Sequence, residues 1–463
     1  MKRKAVILLV VGILIFSFCQ SGFADEMSDL KEQLKAMQRQ MQEQAKTVEE
    51  MQARIEQLEM EKKARIETPK EMTDRVAALE EKLEKKNDQL GVSWKDGFYI
   101  ASEDKQFDMS IGGRLQLDSA WFGEESKLKD KVGAAKSRDQ IRRARLQAKG
   151  TMYGDGIYKF EYEFAGDSGN ARIQDAFIGW KNIPYIGMLR AGHMFEPMGV
   201  ENLTSNSYLT FMEYGLPCAL MPGRNIGLQS NSVFLNEAFT LALGVFRDTD
   251  DYGAGTSNKY NFGTRITATP IYKNKGEEFL HLGYSYSRRR TNGSLQYRSK
   301  PESNLAPYFV DTGVFSAKSA NLFGLETAYI RGPLSFEAEY TSSLVDRGAN
   351  TDAYFQGLYG FASFLLTGET RPYSRAAGEF LRLRPKHNFS LKDKTWGAWE
   401  AALRYSYLDL DEDNINGGIL SDVTAGLNWY LNPNMRIMLN YIYANRNGYG
   451  HADIAQTRFQ VDF

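Results

Sequence analysis

The chain carries two hydrophobic rhythms in succession. From Met27 to Leu58 apolar side chains fall at Met27, Leu30, Leu34, Met37, Met41, Val48, Met51, Ile55 and Leu58, at spacings of three and four, with Gln44 in the one polar core position. Heptads in that register, flanked by Glu, Lys, Gln and Arg, predict a helical coiled coil. Thr68, Pro69 and Glu71 then have the order of an N-cap, a first helical residue and the end of a capping box. A second seam follows at Met72, Val76, Leu79, Leu83 and Leu90, and Gly91 is placed to close it. From Phe107 to Phe463 the period shortens to two. The segments Ile157 to Phe164, Leu334 to Tyr340, Trp399 to Tyr407 and Phe459 to Phe463 alternate apolar or aromatic with polar residues, which predicts strands with one apolar face.

A soluble two-sheet sandwich would also produce that alternation in any single strand. Three features favour a membrane barrel: large aromatics recur near strand ends, as in an interfacial girdle; short turns such as Asn432-Pro433-Asn434 alternate with long polar stretches such as Asp248 to Lys259; and the last alternating strand ends on Phe463. About sixteen strands of membrane-crossing length are expected. They lie near residues 108–121, 140–153, 157–164, 172–180, 187–195, 225–234, 238–246, 260–269, 279–288, 320–330, 333–341, 353–365, 397–408, 421–430, 435–445 and 456–463. The expected fold class is therefore an all-β transmembrane β-barrel of antiparallel strands, preceded by a helical coiled-coil segment. A barrel this wide leaves an aqueous lumen.

The N-terminus sets the compartment. Lys2, Arg3 and Lys4 precede the apolar run Ala5 to Phe18, and Gly22-Phe23-Ala24 offers a small-residue cleavage site, so residues 1–24 are expected to be a signal peptide. Phe18 before Cys19 disfavours a lipoprotein, and loss of Cys19 leaves Cys218 alone, with no disulfide framework. The expected organisation is a signal peptide over 1–24, a periplasmic coiled coil over 25–91, a linker over 92–106 and the barrel over 107–463. The 57 Lys+Arg against 58 Asp+Glu give no field that argues for nucleic acid. The four histidines, His193, His281, His387 and His451, are scattered without a nucleophile or metal-ligand pattern, so neither an enzyme nor a cofactor is expected.

Alternation assigns candidate lumen residues. If Leu115 and Leu117 face outward, Arg114, Gln116 and Asp118 face inward; if Ala144, Leu146 and Ala148 face outward, Arg143, Arg145, Gln147 and Lys149 face inward. Glu161, Glu163, Glu337 and Glu339 share the inward face of their strands, so two readings stay open: an arginine-lined anion path, and opposed rows of charge with only weak preference. A basic segment runs from Arg371 through Arg375, Arg382, Arg384, Lys386, Lys392 and Lys394. It is read either as an extracellular loop folded into the vestibule or as a surface loop that binds lipopolysaccharide phosphates.

Several stretches together resemble a known family: Lys105-Gln106-Phe107, Gly112-Gly113-Arg114-Leu115-Gln116, Arg142-Arg143-Ala144-Arg145-Leu146, Tyr158 to Phe164, Phe195-Glu196-Pro197-Met198-Gly199, Leu203-Thr204-Ser205-Asn206 and Phe211-Met212-Glu213. Leu366-Thr367-Gly368-Glu369-Thr370-Arg371, Gly397-Ala398-Trp399-Glu400 and Gly426-Leu427-Asn428-Trp429-Tyr430 continue the likeness. Over roughly residues 97 to 463 the chain resembles the phosphate-selective porins (porins O and P). The resemblance implies a sixteen-stranded homotrimer in the outer membrane, a third loop at the constriction (about Glu196 to Asn225) and a ladder of lumen arginines that passes anions. Arg114, Arg142, Arg143, Arg145, Arg224, Arg265 and Arg371 are the candidate anion-binding and pore-lining residues. Asn202 and Tyr214 stand where phosphate-selective members carry a lysine and an arginine. The expected solutes are small anions, inorganic phosphate among them, with a nonselective pore as the alternative. The expected partners are further copies of the chain, outer-membrane lipid and lipopolysaccharide. The coiled coil is read as a stalk that tethers the membrane to the cell wall, or as a helix that self-associates because it hangs from an oligomeric pore.

Overall fold

The computed structural model describes residues 49–56, 60, 73, 76, 77, 90–94, 97–166 and 171–463. The expected signal peptide lies outside these residues, as does most of the expected coiled coil; residues 49–56, 60, 73, 76 and 77 are helical. The chain divides into two compact units, Met1–Lys86 and Asn87–Phe463.

In the second unit the alternating segments close into a barrel of sixteen antiparallel strands. They are β1 (Asp108–Glu124), β2 (Arg138–Met152), β3 (Gly156–Glu163), β4 (Arg172–Ile183), β5 (Gly187–Phe195), β6 (Arg224–Phe234), β7 (Phe239–Arg247) and β8 (Asn261–Lys273). β9 (Glu278–Leu295), β10 (Phe315–Arg331), β11 (Leu334–Asp346), β12 (Ala353–Leu365), β13 (Ala398–Glu412), β14 (Ile415–Asn432), β15 (Met435–Arg446) and β16 (Gly450–Asp462) complete it. Each strand pairs with its sequence neighbour, and β16 returns to pair with β1 from Asp462↔Arg114 to Ala452↔Glu124. The closure needs glycine: Phe463 exchanges backbone hydrogen bonds with Gly113 at 3.0 and 2.7 Å, and a Cβ on Gly112 would lie 2.4 Å from the Phe463 carbonyl oxygen. The stretch 92–106, expected as a linker, contributes to a ribbon (Leu90–Trp94 with Phe98–Ser102) that pairs with the first residues of β1.

The alternation reads out as foreseen on β1. Leu115, Leu117 and Trp121 are exposed on the outer face, while Gln116 and Asp118 are buried towards the lumen. Of the register shifts that break the period elsewhere, two shape the lumen wall. On β2 the register moves from Gln116↔Arg143 to Leu117↔Ile141, which leaves Arg142 as the extra residue and lets adjacent arginines both serve the lumen. On β4 the step from Phe160↔Ala176 to Tyr162↔Ile173 places Gln174 and Asp175 together on the buried side.

The connections fill much of this wide cylinder. Residues 125–137, 196–223, 248–260 and 296–314 are long connections at one end, the loop end. At the other, turn end, connections such as 332–333 and 433–434 are short, and the long one is 366–397. The basic segment thus belongs to the end where the barrel begins and finishes. Arg382 donates to the Pro433 carbonyl and ion-pairs with Asp462 there. Neither expectation for this segment anticipated that placement, because strand count parity, not local composition, fixes the end at which a connection emerges. The segment turns inward as a small hairpin, Tyr373–Ser374 against Glu379–Phe380.

The lumen is also half dry. Helix α1 (Ser126–Val132), the 3-10 turn Leu216–Leu220 and the connection 296–314 bring Leu128, Leu216, Leu220, Phe309 and Val310 against inward Leu408, Leu420, Ile442 and Ile454. Burying such side chains contributes about 1.5–3 kcal/mol each, so the loops that narrow the barrel are held by an ordinary hydrophobic core. Strand orientation gives a direct test. Leu146→Arg on the outward face of β2 is expected to cost about 2–4 kcal/mol if it lies near the bilayer midplane, and Gln147→Arg, one residue along on the lumen face, much less. Urea unfolding of the two variants in lipid vesicles measures the difference; equal losses would contradict the assigned faces.

Candidate functional site: the water path through the barrel

With one side of the barrel packed, the open space lies along β1 to β8. It consists of two cavities. One of about 470 Å³ opens towards the turn end and is lined from Ser110, Arg114 and Lys149 round to Arg265, Glu379 and Asp462. The other, of about 510 Å³, lies on the loop side and is lined by residues including Arg142, Arg143, Arg172, Tyr214, Asp250 and Asp251. Arg145, Phe195, Asn206 and Arg224 line both cavities, so the path narrows between them. The wall side of this constriction is β2 with the adjoining ends of β5 and β6; the opposite side is the third loop, 196–223.

The loop is fixed by its acids. Glu213 receives a two-pronged hydrogen bond from Arg142 at 2.9 and 3.0 Å, an ion pair from Arg458 at 2.6 Å and another from Arg143 at 3.7 Å. Burial alone would raise the Glu213 carboxyl; Arg142, Arg143 and Arg458 outweigh it and hold the group well below the ordinary carboxylate range. Arg458 is itself bound by both oxygens of Asp118 at 2.7 Å. On the far side Glu201 pairs with Arg404 at 3.0 Å, and its backbone N–H donates to Glu339 at 2.7 Å. Asn202 donates to the carbonyls of Met198 and Pro222 and so ties the two limbs of the loop together. Tyr214 accepts a hydrogen bond from Asn206 at the constriction. Both Asn202 and Tyr214 therefore do structural work in the loop.

The seven candidate arginines separate into groups by what they touch. Arg145, Arg224 and Arg114 face the path. Arg145 is clamped by Glu161 at 2.9 Å and Glu163 at 2.6 Å, and Arg224 pairs with Asp175 at 2.7 Å while stacking 3.9 Å above Phe195. Arg114 reaches only the neutral side chains of Asn206 at 3.3 Å and Ser205 at 3.1 Å. Arg142 and Arg143 hold the third loop. Arg265 and Arg371 hold the inner hairpin: Arg265 is bidentate to Glu326 at 2.8 and 2.7 Å and donates to the Gly378 carbonyl, and Arg371 pairs with Glu337 at 2.6 Å and lies over the Phe380 ring.

Residues that the sequence reading left out complete the path. Lys159 bridges Glu161 and Asp175, extending the ion-pair network along the wall. Arg190 stacks 5.3 Å over Phe177 and donates to Asn231 at 2.9 Å. Its alternation between Leu189 and Ala191 would have marked it. Among the described residues, Arg114 and Arg190 have no carboxylate partner within ion-pairing distance. The turn-side cavity is lined by eight cations (Arg114, Arg145, Lys149, Lys159, Arg190, Arg224, Arg265, Arg382) against four acids (Glu161, Asp175, Glu379, Asp462). The loop-side cavity has five (Arg142, Arg143, Arg145, Arg172, Arg224) against Asp250 and Asp251. Glu163 and Glu326 behind the first lining and Glu213 behind the second offset part of this excess, and the remainder, in a narrow aqueous path, lowers the energy of an anion inside it. Among the described residues no group of acids, histidines or cysteines has the arrangement of a metal site.

Comparison with known proteins agrees with this construction. The family model described as phosphate-selective porin O and P matches residues 109–463. Porin O of Pseudomonas aeruginosa is 26% identical over 419 residues, covering 80% of this chain and 92% of that protein. An uncharacterized protein of Caulobacter vibrioides is 26% identical over 400 residues, covering 80% of this chain and 77% of its own length. Among solved structures, OmpF of Salmonella typhi superposes with a TM-score of 0.50 at 16% identity, over 81% of this chain and all of that one, a likeness of fold.

The anchoring of the third loop is open to test. Replacing Glu213 by Gln leaves Arg142, Arg143 and Arg458 facing a neutral group, a loss of about 3–5 kcal/mol when a buried ion pair is broken from one side. The expected result is a larger and noisier single-channel current than that of the unaltered protein. Because Glu213 titrates well below its unfolded value, its contribution is fully present above the ordinary carboxyl range and is lost only as pH falls through the lowered value. The excess noise of Glu213→Gln over the unaltered protein should therefore stay the same between pH 5 and 8.

Proposed function

The chain belongs to the phosphate-selective porin O and P family, which makes it an outer-membrane channel and not an enzyme, and from that premise we propose that its path selects small anions. The observation that carries this reading is the pairing pattern of the lumen charges. Most wall cations are neutralised by fixed acids, whereas Arg114 and Arg190 present guanidinium groups to water with only neutral partners. A planar guanidinium suits a tetrahedral oxyanion, so phosphate and its analogues are the solutes proposed to dwell longest beside them. The retention should be weaker than in members that carry the two loop cations, since Asn202 and Tyr214 add no charge at the constriction. The same premise supports a homotrimer in outer-membrane lipid and lipopolysaccharide. The turn end is assigned to the periplasm, because four of the five long connections gather at the other end and long connections cluster on the extracellular side of such barrels. The N-terminal segment, covalently joined there through the ribbon, is then a periplasmic helical stalk with the cell wall as its proposed partner.

Single-channel recording in planar bilayers under a salt gradient tests the selectivity. The expected reversal potential lies towards that of chloride, and added phosphate should reduce the chloride current in a saturable way. Arg114→Ala is expected to weaken both effects with the barrel still folded. A current that scales linearly with salt, reverses near zero and ignores phosphate would make this a general porin on the same scaffold.

A further inference from the structure

The inner hairpin that enters from the turn end carries one acid into the path. Glu379 lines the turn-side cavity and is partly exposed to it. The other three acids of that cavity are fixed: Glu161 by Arg145 and Lys159, Asp175 by Arg224 and Lys159, and Asp462 by Arg382. Glu379 has no ion pair and no side-chain hydrogen bond among the described residues. Its position is well determined nonetheless. Its strand pairs with Tyr373–Ser374, Phe380 packs against Phe279 and beneath Arg371, and the neighbouring Gly378 carbonyl is held by Arg265 at 2.8 Å.

We propose that Glu379 is a selectivity-determining residue: a carboxylate held by the inner hairpin opposite the wall cations, which sets how strongly the path favours anions. This rests on the anion reading above. The charged groups that act most strongly on Glu379 are Arg265 on β8, Arg190 on β5, Lys159 on β3 and Asp175 on β4, and the Tyr373 hydroxyl of the same hairpin also lies within its field. Of these, Arg265, Lys159 and Asp175 are compensated by other partners, so Arg190 is the charge that Glu379 offsets. Ionised, the carboxylate halves the contribution of the Arg114 and Arg190 pair; protonated, it leaves both at full effect. Burial is the main influence on the group and, against the pull of Arg265, Arg190 and Lys159, holds its titration up at about 7. The path is therefore more anion-selective on the acid side of neutrality and less so above it.

The test compares the full-length protein with Glu379→Gln in planar bilayers, reading the potassium chloride reversal potential at pH 5.5 and 8.5. In the unaltered protein the chloride-to-potassium permeability ratio should fall by roughly tenfold as pH rises, since one charge across several ångströms of water acts about threefold on each ion and with opposite sign. Glu379→Gln should hold the acid-side value at both pH values, and Glu379→Asp should restore the pH dependence. An equal pH response in the Gln variant, or none in the unaltered protein, would overturn the role of Glu379 while leaving an anion-selective channel. Absence of anion selectivity in both proteins at both pH values would overturn the role of Glu379 together with the anion reading on which it rests.

Discussion

The position of the water path depends on one carboxylate. A closed sheet of sixteen strands encloses far more space than a small ion needs, and the third loop narrows it only if the loop is held away from the β1–β2 wall at a fixed distance. Glu213 does this by taking Arg142, Arg143 and Arg458 together, with Asp118 behind Arg458. The bulge in β2 makes the grip feasible, because a regular strand would send Arg142 to the lipid face. On the other side of the loop the contacts are Glu201 with Arg404 and the apolar packing of Leu216 and Leu220. Polar anchoring on one face and hydrophobic anchoring on the other leave Asn206 and Tyr214 at the gap.

The electrostatics follow from that placement. Arginines abound in this lumen, yet most do not act on a passing solute. Arg404, Arg458 and Arg436 are fully buried in contacts between loop and wall, and Arg265 and Arg371 secure the inner hairpin. Arg145 and Arg224 lie at the constriction but share Glu161, Glu163 and Asp175 with Lys159. Such a compensated lattice stiffens the wall and contributes little net field. In the reading proposed above the field comes from the few groups left out of it, Arg114 and Arg190 on one side and Glu379 on the other.

The barrel itself was legible in the chain, because a period of two with an apolar outer face is imposed on every membrane strand alike. Each of the sixteen expected segments became a strand, and the inward direction of Arg114, Arg143 and Arg145 followed from the apolar residues that alternate with them, Leu115, Ala144 and Leu146. Strand lengths were less visible: β9, β10, β14 and β16 run on past the expected ends, where strands leave the apolar layer and alternation no longer marks them. The bulges at Arg142 and Gln174 were hidden because a bulge is a property of the pair of strands, not of either one. The dry half of the lumen had a faint signal in Tyr441-Ile442-Tyr443-Ala444, apolar on both faces, which only makes sense if both faces are covered. The roles of individual arginines were not legible, since the acid that claims each one comes from a distant part of the chain, as Glu213 does for Arg458.

The central claim is that solutes pass between the β1–β6 wall and the third loop, through the gap beside Asn206. A cysteine placed at Asn206, in a background with Cys218 changed to Ser, and exposed to a small negatively charged methanethiosulfonate during single-channel recording, reads this directly. Modification is predicted to remove most of the current, in one step for each subunit. A current unchanged after mass spectrometry has shown the thiol to be modified would contradict the account and place the path elsewhere in the barrel.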